Sequence, residues 1–168
     1  MKQAFFYLLN ELSPSFDESE LVFEQTQTLN LTQRDRLGCW LAARYYQTNK
    51  RVLLVCENQK HAERLDEWLW QLDPDRFIAH NLAGEGPKIG APIELCWPER
   101  RSNIQRDIMI HLATPFVDFA PIFKSIIDFV PAIEQEKIAA RERYKQYREI
   151  GYQLKTGTVP ETFLNEQK

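Results

Sequence analysis

RVLLVCENQKHAERLDEWLWQL, Arg51 to Leu72, contains the two patterns that decide the fold. Residues 52–56 form an uninterrupted apolar run, the reading of a strand buried on both faces of a parallel sheet. Asn58 then offers a cap. Ala62, Leu65, Leu69 and Leu72 recur on one stripe of a helix over 59–72 that stops before Asp73 and Pro74. A strand feeding an amphipathic helix is the repeating unit of an α/β domain.

The alternation continues on both sides. Upstream, AFFYLL at 4–9 predicts a buried central strand. Thr32 can cap a helix over 33–48 that carries Leu37, Trp40, Leu41 and Tyr45 on one face. The intervening 11–31 is polar and rich in caps and breakers, so it reads as a loop. Downstream, FIAH (77–80), PIELCW (92–97), DIMIHLA (107–113) and SIIDFVP (125–131) predict further strands, with a short helical piece around 116–123. A last long helix runs from about Glu134 to Ile150 and is ended by Gly151. These elements predict one three-layer α/β domain with a mostly parallel sheet.

With 168 residues, 43% of them hydrophobic, the chain suits one compact domain and leaves little room for a second. A formal net charge of −3 gives no general attraction to nucleic acid. No apolar run reaches the roughly 18 residues a membrane helix needs, and MKQAFFYLLNE is not the pattern of a cleavable leader, so a cytoplasmic location is expected. Cys39, Cys56 and Cys96 lack CxxC spacing and sit in apolar stretches, as buried thiols do. His61, His80 and His111 show no metal-ligand spacing, and no metal site is expected.

HNLAGEGP at 80–87 is the one stretch that resembles a phosphate loop. Phosphate-binding turns run straight into a helix whose free N–H groups meet the anion. This one leads into APIELCW, a strand pattern, with Glu85 inside the loop. GxxxxGK[ST] is absent, as are GxSxG and HExxH, so no catalytic residue and no cofactor is expected. Asp107, Asp118 and Asp128 border strands or turns, where capping or solvation accounts for them.

Two surfaces read as docking sites. On the helix at 134–150, Lys137, Arg148, Arg141 and Lys145 share an arc of about 100° with Tyr144, while Arg143 projects elsewhere. Clustered cations beside an apolar pocket suit an acidic peptide with a hydrophobic end. On the helix at 59–72, Trp70 falls off the core stripe, and Phe77 beyond Pro74 can extend the same patch.

FYLL (6–9), RVLLVCE (51–57), RLDEWLW (64–70), HNLAGEGP (80–87), GAPIELCWP (90–98), QRDI (105–108), DFVP (128–131) and ARERYKQYR (140–148), in this order, resemble the chi subunit family of bacterial DNA polymerase III. The resemblance implies a Rossmann-like fold without a nucleotide site. It also implies a non-catalytic accessory subunit that binds the psi subunit of the clamp-loader complex and the acidic C-terminal tail of single-stranded DNA-binding protein. DNA would then be reached only indirectly. Matching positions give Val130, Lys137, Arg141, Tyr144 and Lys145 to the tail, with Arg148 added from the helical wheel, and Trp70 and Phe77 to psi. The family-like domain spans 1–152, with 11–31 as a variable insertion and 153–168 as a C-terminal extension to which no function transfers. Two alternatives remain: a nucleotide-binding α/β enzyme domain, motivated by AGEG, and direct single-strand binding by the cationic helix.

Overall fold

A computed structural model of the chain describes residues 1–10, 31–72, 78–86, 90–102 and 106–166. Its strands are β1 (Gln3–Leu8), β2 (Val52–Val55), β3 (His80–Leu82), β4 (Ile93–Cys96), β5 (Ile108–His111), β6 (Ser125–Val130) and β7 (Gln153–Thr158). Its helices are α1 (Gln33–Gln47), α2 (Gln59–Leu72), α3 (Glu134–Glu149) and α4 (Glu161–Glu166). The strands make one seven-stranded sheet in the order β3-β4-β2-β5-β6-β1-β7, and every described ladder is parallel.

Both faces of the sheet are covered, which is why VLLV and IMIH are buried at every position. Leu54, Leu95, Ile110 and Phe129 face α1 and α2, and Phe163 of α4 joins them there with its ring 5.5 Å from Trp40. Phe6, Leu53, Met109 and Ile126 face the other way, packing with Tyr147 of α3. The predicted caps are in place: Thr32 Oγ1 accepts from Asp35 N at 3.2 Å, and Asn58 Oδ1 accepts from His61 N at 2.8 Å. His61 then joins the two helices. Its Nδ1 accepts from Glu57 N, and its Nε2–H donates to Asp35 Oδ1 at 2.9 Å.

Three expectations change. The AFFYLL strand lies second from an edge, between β6 and β7, rather than at the centre of the sheet. The helical piece at 116–123 is a single 3₁₀ turn, Ala120–Ile122. Residues 153–166, to which the sequence gives no element, supply edge strand β7 of the same sheet and helix α4, which joins the core through Phe163. Most of the loop expected at 11–31 lies outside the described residues.

Candidate functional site

Ala140, Arg143 and Tyr147, three and four residues apart, are the buried line of α3, and they fix how the helix sits on the sheet. Arg143 projects away from the cationic arc, as the helical wheel places it, and the direction it takes is into the core. Its Nε and Nη2 donate to Asp128 Oδ2 and Oδ1, each at 2.9 Å, and Nη1 donates to Thr114 O at 2.8 Å. Asp128 is 0% exposed, so the solvated role read for it is corrected: a buried carboxylate persists there because the guanidinium meets both oxygens. Asp118 does pair at the surface, 3.0 Å from Arg101, and Asp107 accepts from Arg51 N at 2.8 Å.

Arg143 reaches toward the β5–β6 connection, while Tyr144 leans the other way onto Phe6 of β1, ring centroids 5.3 Å apart. The cationic flank therefore lies on the β1 side of α3. Arg148 stands over the Tyr144 ring at 5.7 Å, and Tyr144 and Val130 both pack, half-buried, on the core under α3. Arg141 and Lys145 are exposed and meet Glu134 and Glu142 only at 3.7 Å, loose surface pairs that a ligand can replace at little cost. Lys137 and Arg148 have no carboxylate partner among the described residues. The structure thus brings the side chains predicted for the tail onto one helix flank above Val130. The residue that sequence reasoning did not single out is Leu8, paired across from Val130 and 43% exposed. Its face follows from strand register, which no local pattern reveals.

Trp70 lies off the core stripe as predicted, 53% exposed, with its ring edge-on to His80 at 4.7 Å. Burial opposes charge on His80, but Asp66 at 3.1 Å and the Ile78 carbonyl at 2.8 Å outweigh it and raise the imidazole pKa. Phe77 lies outside the described residues.

The glycine turn is closed on itself. Gly84 and Gly86 take φ values of 85° and 78°, a conformation that side chains resist. Asn81 Nδ2 donates to Leu82 O and Glu85 O while its Oδ1 accepts from Ala91 N, and Arg100 Nη1 donates to Ala83 O at 3.2 Å. A Cβ on Gly84 would lie 2.4 Å from that guanidinium. β4 follows the turn, so no helix terminus faces an anion there.

A cleft of about 330 Å³ opens at the carboxyl ends of β2 and β4, the position where α/β sheets often hold ligands. Its charged groups pair within the protein: Arg101 with Asp118, and Glu57 with the N–H and hydroxyl of Thr114. Burial pushes the Cys39 and Cys56 thiols well up and the Cys96 thiol, aided by Glu94, to about 12, which leaves them unreactive. Among the described residues no cluster of His, Cys, Asp and Glu could hold a metal ion, and no helix is long and apolar enough to cross a membrane.

These features define an α/β domain built on one parallel sheet, whose glycine turn serves the backbone and which, among the described residues, exposes a cationic helix flank and a tryptophan. Residues 1–155 match the model of the family described as DNA polymerase III chi subunit, HolC. The chain is 46% identical over 158 residues to DNA polymerase III subunit chi of Escherichia coli (strain K12), covering 94% of this chain and 99% of that protein. It is 42% identical to the subunit of the same name from Haemophilus influenzae, over 80% of this chain and 92% of the relative. The chain belongs to the DNA polymerase III chi subunit family, proteins of DNA replication. The crystal structure of T4 UvsW shares the fold alone, with a TM-score of 0.56 and 11% identity over 95% of this chain and 41% of that one.

Proposed function

We propose that this chain is a non-catalytic accessory subunit that holds the psi subunit on its Trp70 surface and the acidic C-terminal tail of single-stranded DNA-binding protein on α3, and so bridges the two. The observation that carries the tail reading is the convergence of Lys137, Arg141, Tyr144, Lys145 and Arg148 on one flank of α3 above half-buried Val130. Arg141 and the lysines would meet carboxylates, and Tyr144 with Val130 would wall the site of the terminal ring.

A peptide with an acidic stretch and a terminal Phe, titrated into the chain, is expected to bind about tenfold more weakly to Arg141→Ala, and more weakly as salt rises. Binding indifferent to that substitution and to loss of the Phe would reject the tail reading. A single-stranded oligonucleotide bound as tightly as the peptide would favour direct DNA binding by the same cations. For the other surface, Trp70→Ala is expected to weaken co-purified psi about tenfold, because an exposed indole is the residue type that anchors interfaces. Unchanged recovery of psi would remove Trp70 from that role.

A further inference from the structure

Pairing of β1 with β6 and with β7 sets Val130, Leu8 and Thr158 side by side in one row at the carboxyl end of the sheet. Strand alternation fixes the face of this row. Ala4 and Phe6 belong to the core under α3, whereas Phe5 and Tyr7 pack on the opposite side, so Leu8 is on the α3 face. Ile126, Val130 and Leu154 share that core, and Thr158 follows Leu154 at the same parity. Side chains in such a row stand about 4.8 Å apart from strand to strand.

The next row down is Asp128, Phe6 and Thr156. There Phe6 is fully covered, with Tyr144 and Tyr147 at 5.3 and 5.9 Å. Leu8, one pleat further, is left 43% exposed beside half-buried Val130, at the end of the sheet where the chain leaves β6 to enter α3 and its line of cations. Carbon surface next to concentrated positive charge matches a ligand that presents carboxylates and an apolar group together.

We propose that Leu8, flanked by Val130 and Thr158, is the floor on which the apolar C-terminal side chain of an acidic peptide sits. This deepens the tail reading above and rests on it. The cations of α3 hold the carboxylates, Tyr144 forms the inner wall, and edge strand β7 closes the outer side. Leu8 thereby sets the preference for a large apolar last residue.

The full chain is titrated, by fluorescence anisotropy, with two labelled acidic peptides that differ only in ending with Phe or with Ala. Leu8→Ala is expected to weaken the Phe-ended peptide about fivefold and the Ala-ended one less than about twofold, while Leu8→Met keeps nearly full affinity for both. Equal loss for both peptides, or loss for neither, with Arg141→Ala still weakening binding, overturns the floor and leaves the tail reading in place. Failure of the unmutated chain to bind either peptide overturns both. Leu8→Thr makes the same comparison should the alanine variant unfold.

Discussion

Arg143→Ala is expected to lower the free energy of unfolding by about 3–5 kcal/mol, because it leaves the Asp128 carboxylate buried without its counter-charge. Asp128 is 0% and Arg143 2% exposed, so solvent cannot take over the lost hydrogen bonds. The guanidinium also binds Thr114 O at 2.8 Å and Phe129 O at 3.2 Å, and so ties α3, β6 and the β5–β6 connection together. Urea unfolding gives the measurement. The double variant Asp128→Leu/Arg143→Leu is expected to recover most of the loss, since an apolar pair of similar volume removes both desolvated charges. A drop below about 1 kcal/mol in Arg143→Ala would mean that water reaches the carboxylate after all.

Stability is also expected to fall in mild acid by up to about 3 kcal/mol through His111. Burial, helped by nearby Arg143 and opposed by Asp128, lowers its pKa from 6.5 to about 4. Between those values the unfolded chain takes up a proton that the folded chain refuses, so the folded state weakens as pH drops through that window. His80 acts with the opposite sign. Its raised pKa means that its contribution is complete below 6.5 and is lost only as pH climbs past the folded value, so it is flat in the same window. Asp35, held low despite burial by His61 and nearby arginines, keeps its contribution until pH falls below the ordinary carboxylate range. Unfolding free energy measured from pH 7 to 4.5 should thus slope downward in the native chain and flatten in His111→Leu. An unchanged slope in that variant would assign the acid sensitivity elsewhere.

Much of the architecture was legible because strands covered on both faces read as plain apolar runs, and VLLV and IMIH announce themselves in that way. QLKTGT does not. As the edge strand it is mostly exposed, so its composition is that of a loop, and only pairing with β1 makes it a strand. The helical wheel separated Arg143 from the other cations of α3, but charge in a sequence reads as solvated, and its partner Asp128 lies on another element. The cationic flank was readable from spacing within one helix. Leu8 was not, since the face it presents depends on neighbours β6 and β7, which arise more than a hundred residues later in the chain.

That placement of β1 bears on how the molecule is made. A ribosome delivers this ribbon before either of its flanking partners, residues 125–130 and 153–158, so it must wait in the nascent chain with its ladder groups unmatched. Premature termination before β7 would release a molecule with that ribbon as a raw margin, the kind of surface that invites clumping.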